Sequence, residues 1–527
     1  MHHFSKLFVG IFVVGFLFSP EVLARKIIFS KNNFKAETDG SVELIQNYLN
    51  NVIDLNQDKG DDEFFPAAQY MGNVDLIYSG LPLGYGDIVL HGMAERKGRL
   101  GYAANLAKVD ISTTREIARY HILSQDMFPR LRELSLTTPL FIKGLKTTLG
   151  LHKYYSIGWT TQLFGIKDSN YGATVTYTHP LKESSLVYNF HWDKPDFNSK
   201  WRMQFKRPTM ENNEATNHTN ANRFTTDLSY YWKSNVLQAM VSGLWDRTKL
   251  GKRLIAFFDN LTVKKEFVGN VGGSWVQYLG KDWTLFLEGA KNFGEISNTG
   301  TGGGGGNVEH EGWMTAVKLA FTPPVWIQPS FKLFYFSGND VSMDDVRTGN
   351  TNSIGTNKGY IGGYSLGNEN LADTINTPIS GGFPMLSMAG LHGVMKGVLR
   401  PNSFADPTAK ENLLLTQASF NFSLAKDLTF ILDFFDMWAP NPGYGQFATS
   451  DYQKLSGHLG TEANLILGYP IWGNLKATML SAYFLPGRYY YENNNRIDTD
   501  PLSFSPKVGS ENPDAAYSTE VSLKWTF

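Results

Sequence analysis

The sequence predicts an all-β protein, a transmembrane antiparallel up-and-down β-barrel of about 18 strands (range about 16 to 20) of the bacterial outer-membrane type. Three observations predict it: an export-type leader, recurrent segments of alternating polarity, and connections that are alternately short and long. Composition agrees. Charged residues make up 18% and aromatic residues 14%, with 51 glycines. Soluble globular chains carry about 25% charge. Large aromatic side chains favour strands, and glycine favours turns.

In chain order, Met1–Lys6 is mildly basic, Leu7–Phe18 (LFVGIFVVGFLF) is apolar, Pro20 breaks the run, and Val22-Leu23-Ala24 suits cleavage after Ala24. The apolar run is too short to cross a bilayer, so residues 1–24 are expected to be a removed signal peptide. Residues 25–527 are then one barrel domain. No later run of about 18 apolar residues occurs, which excludes helical spans and leaves a soluble exported protein or a barrel.

Strand side chains point alternately to opposite faces, so a half-buried strand alternates in polarity. Leu186, Tyr188, Phe190 and Trp192 alternate with Asn189, His191 and Asp193. Trp201, Met203 and Phe205 alternate with Lys200, Arg202, Gln204 and Lys206. Phe224, Thr226, Leu228, Tyr230 and Trp232 alternate with Arg223, Thr225, Asp227, Ser229 and Lys233. Leu414, Thr416, Ala418, Phe420, Phe422 and Leu424 alternate with Gln417, Ser419, Asn421 and Ser423. The chain ends with Tyr517, Thr519, Val521, Leu523, Trp525 and Phe527 on one face, and Ser518, Glu520, Ser522, Lys524 and Thr526 on the other. A soluble sandwich explains the alternation but not so many aromatics on the apolar face. The terminal strand resembles the recognition signal of outer-membrane barrels, which makes Tyr517, Trp525 and Phe527 the expected membrane-insertion signal.

Short connections are expected at Leu81–Gly84, Phe141–Gly144, Lys233–Asn235, Gly280–Asp282, Thr322–Val325, Ala425–Asp427 and Ile471–Gly473. Long polar ones are expected at Asn51–Ala68, Lys97–Pro129, Phe293–His310, Ser337–Lys410, Ala439–Ser456 and Gly487–Asp514. Short periplasmic turns and long external loops give this rhythm. Counting alternating segments gives about nineteen strands, which an even-stranded barrel cannot have, so eighteen or twenty are expected. The doubtful stretches are Tyr154–Pro195 and Arg253–Phe267. Within Lys97–Pro129, Thr113 and Glu116 have capping-box spacing and Ile117 and Tyr120 could share a helical face. A plain surface loop is the simpler reading of that segment.

Leu459-Gly460-Thr461-Glu462-Ala463-Asn464-Leu465, with Phe484-Leu485-Pro486-Gly487 at the end of the next strand, resembles the penultimate hairpin of one family, the alginate-export-type outer-membrane proteins. Pro329 through Tyr335-Phe336-Ser337-Gly338-Asn339-Asp340 resembles a strand opening into a Ser-Gly-Asp loop, with Phe383-Pro384 further along. Leu145–His152 (LKTTLGLH) is similar to an early strand ending in Gly-Arg-Gln. Asn339 interrupts the Gly-Asp pair, and Leu151-His152 replaces Arg-Gln. The resemblance implies a monomeric barrel of about eighteen strands and, less directly, passage of an anionic polysaccharide.

If the aromatics face lipid, the opposite residues face water and set selectivity. Lys200, Arg202 and Lys206 form a basic stripe that Arg223, Lys233, Lys146 and Lys332 could join. Several cations in a narrow pore attract anions, because low-dielectric walls focus their field. Glu133, Asp193, Asp227, Glu288, Asp433 and Glu520 lie on comparable faces, and a lumen whose ion pairs satisfy one another is the competing reading. The pore-lining candidates are therefore Lys200, Arg202, Lys206, Arg223, Asp227, Lys146, Lys332 and Glu520.

Other motifs carry little. Gly363-Tyr364-Ser365-Leu366-Gly367 matches a hydrolase elbow without the strand and helix it needs, and Gly300–Gly306 lacks the phosphate-loop Lys-Ser/Thr. Asp54, Asn56 and Asp58 could offer oxygens to Ca²⁺, but Lys59 and Phe65 stand where a calcium-hand loop needs Gly and Glu. Asp340, Asp344 and Asp345 make a second acidic loop, and Glu309-His310-Glu311 lacks zinc spacing. Zero cysteines exclude a disulfide scaffold and a thiol nucleophile. A net charge of −1 gives no footprint for nucleic acid. The expected function is a passive outer-membrane channel, without cofactor, for hydrophilic solutes, anionic or saccharide solutes included. The expected partners are outer-membrane lipid, the barrel-assembly machinery and the solute. A barrel scaffold or adhesin gripping a partner through its long loops is the alternative, and an enzyme lacks any nucleophile–base pair.

Overall fold

A sheet with one apolar and one polar face either exposes its edges or closes on itself. In the computed structural model it closes. The structure describes residues 26–50, 63–82, 86–99, 130–153, 169–194, 221–246, 263–298, 308–321, 323, 326–338, 356–358, 412–423, 428–442, 444–448, 451–494 and 514–527. The leader, the basic stripe Lys200–Lys206, the Thr113–Tyr120 segment, the glycine motifs and the acidic loops at Asp54–Asp58 and Asp340–Asp345 lie outside these residues.

The strands are, in order, β1 (Lys26–Lys31), β2 (Phe34–Asn50), β3 (Glu63–Tyr78), β4 (Ile88–Arg99), β5 (Arg130–Pro139), β6 (Leu145–Lys153), β7 (Ser169–Pro180) and β8 (Ser184–Lys194). They continue with β9 (Ala221–Trp232), β10 (Asn235–Asp246), β11 (Val263–Leu279), β12 (Trp283–Asn298), β13 (Val308–His310), β14 (Trp313–Phe321), β15 (Ile327–Phe336) and β16 (Thr356–Asn357). The last are β17 (Leu413–Phe422), β18 (Thr429–Trp438), β19 (Tyr444–Ala448), β20 (Asp451–Lys454), β21 (His458–Trp472), β22 (Leu475–Pro486) and β23 (Ala516–Thr526); a helix, α1 (Arg488–Asn494), precedes β23. Of the 21 strands in the main sheet, β1, β13 and β16 are short adjuncts, and the remaining 18 form a closed antiparallel ring. β19 and β20 are a separate two-stranded hairpin.

The seam joins β2 to β23, from Ser41↔Thr526 to Asn50↔Tyr517. Gly40 and Phe527 then exchange two backbone hydrogen bonds of 3.0 Å. β2 continues past the end of the chain, and β1 pairs with that overhang (Lys26↔Thr38 to Lys31↔Phe34), so the edge is covered. Strand ends joined by short turns lie at the end of the ring that holds Phe527, and those joined by longer connections lie at the other. Gly473 makes the tight β21–β22 turn at a φ of 51°, a left-handed conformation that glycine adopts without cost.

Two expectations on strand limits need correction. β8 pairs directly with β9 (Ser184↔Trp232 to Asp193↔Arg223), so the ring closes without Lys200–Lys206, and the count falls from nineteen to the even number. β3 starts at Glu63, β4 runs to Arg99 and β12 to Asn298, inside segments expected to be loops. The sequence of these strand ends lacks the strict alternation of polarity that marks a strand, so they read as loop.

The register fixes the faces all round. Leu44, Leu76, Leu90, Leu134, Leu149, Phe190, Phe224, Leu237, Val271, Val317, Leu333, Phe434, Tyr483 and Leu523 point outward and are well exposed. An apolar belt so continuous is the lipid-facing surface of a transmembrane barrel. Among the described residues no helix is long and apolar enough to cross a membrane.

Candidate functional site: the inner wall

Following paired residues around the ring identifies the inner face. Asp75, His91, Ser135, Gly150, Thr174, His191, Thr225, Ser242 and Asn270 face the interior. So do Glu288, Ala316, Phe334, Leu415, Gln417, Phe435, Glu462, Phe484 and Ala516 on the remaining strands. At the short-turn end the inner positions are partly open, as at Lys146, Thr176, Asn189, Ser330, Lys332, Ser419, Asn421 and Thr478. Further along the strands the inner positions among the described residues are mostly buried.

On the β6–β9 wall the inner face is a polar chain. Arg223 donates to both oxygens of Asp193, Nε at 3.0 Å and Nη2 at 2.6 Å, and both residues are almost wholly buried. Such a forked pair is the strongest geometry a guanidinium and a carboxylate adopt. His152 Nδ1 lies 3.0 Å from the Gly150 carbonyl and must donate to it, since a carbonyl only accepts. His152 Nε2 then accepts from the Thr174 hydroxyl at 2.7 Å, and Thr174 accepts from His191 Nδ1 at 2.7 Å. His191 Nε2 faces Asp193 Oδ1 at 3.7 Å.

Nearer the short-turn end, His91 Nδ1 meets Asp75 Oδ1 at 2.5 Å, with Glu133 Oε2 3.9 Å from Nε2. Asn189 donates to Asp227 at 3.0 Å, Asn292 to Asn270 at 2.6 Å and Gln417 to Asp433 at 2.9 Å. Lys318 and Lys332 are direct cross-strand partners, and Lys318 Nζ lies 4.9 Å above the Phe286 ring. Among the described residues neither lysine has an ion-pair partner.

On β14–β23, toward the long loops, the inner face turns apolar. Met314, Phe334, Phe336, Leu413, Leu415, Phe435, Met437, Phe484, Tyr489, Tyr490 and Ala516 belong to one buried cluster. Tyr489 and Tyr490 come from α1, which packs on β21. Burial first, then the neighbouring Tyr489 and the Glu462 charge, pushes the Tyr490 phenol well above its ordinary range, so it stays neutral.

Of the pore candidates, Lys146 and Lys332 face inward in the partly open zone. Arg223, Asp227 and Glu520 face inward but are buried, and Arg223 is neutralised by Asp193. Lys233 sits in the exposed β9–β10 turn. Lys200, Arg202 and Lys206, and the calcium candidates Asp54, Asn56 and Asp58, lie outside the described residues. Tyr517, Trp525 and Phe527 follow the outward side of β23. Sequence reasoning missed Lys318 and the His152–Thr174–His191 chain, because both exist only in a cross-strand register. It also missed α1, whose one signal is the Tyr489-Tyr490 pair after Pro486-Gly487.

No protein-family model and no curated protein matches the sequence. Among solved structures, the chain is similar to OccAB3 of Acinetobacter baumannii, with 10% identity over 93% of this chain and 99% of that one, at a TM-score of 0.46. It is also similar to Pseudomonas aeruginosa OccK2 (OpdF), solved in complex with glucuronate, with 10% identity over 93% and 98% of the chains and a TM-score of 0.45. For Pseudomonas aeruginosa OccK11 (OpdR) the identity is 12%, the coverage 93% and 96%, and the TM-score 0.43.

Proposed function

We propose that the protein is a passive outer-membrane channel for small hydrophilic solutes, rather than an enzyme. The single observation that carries this reading is the closed ring of 18 strands with an apolar outer belt and a polar inner face. A ring of that size encloses a lumen wider than its own wall side chains fill. The terminal strand, ending in Trp525 and Phe527, supports insertion by barrel-assembly machinery. The resemblance of Gly460–Asn464 and Phe484–Gly487 to alginate-export barrels supports a saccharide or anionic solute. Lys146, Lys318 and Lys332 support the anionic side of that reading, since they face inward without described ion-pair partners and a low-dielectric wall extends their field.

Single-channel conductance of the refolded protein in a planar bilayer under a salt gradient tests it. A stable conductance with anion preference is expected, and Lys318→Glu with Lys332→Glu should shift the reversal potential toward cations. Cation preference in the unaltered channel would overturn the anionic part and keep the pore. A folded, heat-modifiable barrel that carries no current would overturn the channel and favour a scaffold acting through its long loops.

A further inference from the structure

The inner face of a water-filled barrel is expected to be polar along its whole height. On one side of this ring it is polar for only half of it. Ser330, Lys332, Ser419 and Asn421 are polar and partly open near the short turns. Beyond them on the same strands come Phe334 and Phe336 and, past the buried Gln417, Leu415 and Leu413, each no more than 4% exposed. Met437 and Phe484 beside them are wholly buried.

α1 covers this apolar patch. It follows the Pro486-Gly487 step at the end of β22 and turns into the mouth, with Tyr489 and Tyr490 both at 0% exposure. Phe484 and Tyr490 meet edge to face at 6.0 Å, and Tyr489 and Tyr490 at 5.6 Å. Several bonds pin the helix. Gly487 N–H donates to the Leu459 carbonyl at 2.9 Å. Glu492 accepts from the Ser456 N–H at 2.5 Å and from Arg488 Nε at 2.6 Å. An added Cβ at Gly487 would lie 2.6 Å from Gly460 N, so the close approach that starts the inward turn requires glycine there.

We infer that α1 is a fixed wedge that seals the β14–β22 side of the outer half of the lumen. Tyr489 and Tyr490 fill that side and narrow the lumen there. This rests on the channel reading. Apart from the Glu462 carboxyl and the tyrosine hydroxyls, the groups that line and fill this space are apolar and packed without exposed surface, so it is closed to solute whatever the width of the ring around it. Two tyrosines with no exposed surface, on a helix tied at both ends, describe a wall rather than a moving lid.

The chain has no cysteine, so single substitutions give unique thiols. Ser419→Cys, Glu133→Cys, Leu415→Cys and Met437→Cys variants of the full chain, folded in vesicles, are treated with a small charged methanethiosulfonate. Modification is read by intact mass as well as by loss of current. Ser419→Cys and Glu133→Cys should be modified, and Leu415→Cys and Met437→Cys should react at least about tenfold more slowly, because a thiol reacts only where reagent reaches it. Tyr489→Ala with Tyr490→Ala should raise conductance by about twofold, as a hydrophobic constriction is removed, and should make Leu415→Cys reactive. Equal reactivity of Leu415→Cys and Ser419→Cys in the otherwise unaltered chain overturns the wedge. Because mass reports labelling without current, a silent barrel that spares Leu415→Cys would overturn the channel reading while leaving the wedge in place.

Discussion

Asp193 and Arg223 show how much a single inner-wall residue carries. Both are buried, and each is the other's charge partner through a forked contact. Removing one partner leaves a buried uncompensated charge, whereas replacing both by apolar residues of similar volume does not. Asp193→Asn should therefore destabilise the barrel by about 3 to 5 kcal/mol, seen as a lower temperature for conversion of the folded band on unboiled gels. Asp193→Leu combined with Arg223→Met should recover most of that loss. The identities of these residues were legible from alternation, since both fall on the polar face of their strands. Their pairing was not, because Asp193 and Arg223 are 30 residues apart and meet only once β8 and β9 fix their register.

At the scale of elements, β13 is a short strand outside the ring, pairing with β12 on one side and with β16 on the other. His310 in it is buried, and burial lowers its pKa from 6.5 to about 4. The folded state thus holds a neutral imidazole where the unfolded chain would take up a proton. The resulting stabilisation is complete above pH 6.5 and declines as pH falls from 6.5 toward 4. Amide protection of β13 should weaken over that window, by up to about 3 kcal/mol, and His310→Phe should abolish the dependence. The sequence marked Glu309-His310-Glu311 only as a weak metal candidate. It gave no sign of burial, because three residues are too few for a polarity period to register.

The whole molecule depends on closing one seam. β2 and β23 lie at opposite ends of the chain, and the last backbone hydrogen bonds of their ladder belong to Gly40 and Phe527. A Cβ at Gly40 would lie 2.7 Å from the Phe527 ring, so the aromatic covers the glycine on the outer surface. Phe527→Ala should lower the folded, heat-modifiable fraction several-fold without altering the conductance of barrels that do close. Equal assembly of the variant, measured by the same gel shift, would remove Phe527 from any role in insertion. An open ring would expose two unpaired strand edges to lipid, where no water satisfies them, so closure is all or none.

What the sequence determined by itself was local and periodic. The all-β class, the outward and inward sides of β8, β9, β17 and β23, and the rhythm of short and long connections all follow from a two-residue repeat and from turn chemistry. The exact ring size, the meeting of Lys318 with Lys332, the His152–Thr174–His191 chain and the wedge of α1 were decided only in the folded barrel. Alternation tells which face a side chain takes, but not which neighbour it meets, because register is set by pairing between strands distant in the chain. Nor can it mark an apolar lumen: an inward Phe336 or Met437 reads like a lipid-facing residue until the opposite wall and the helix are in place.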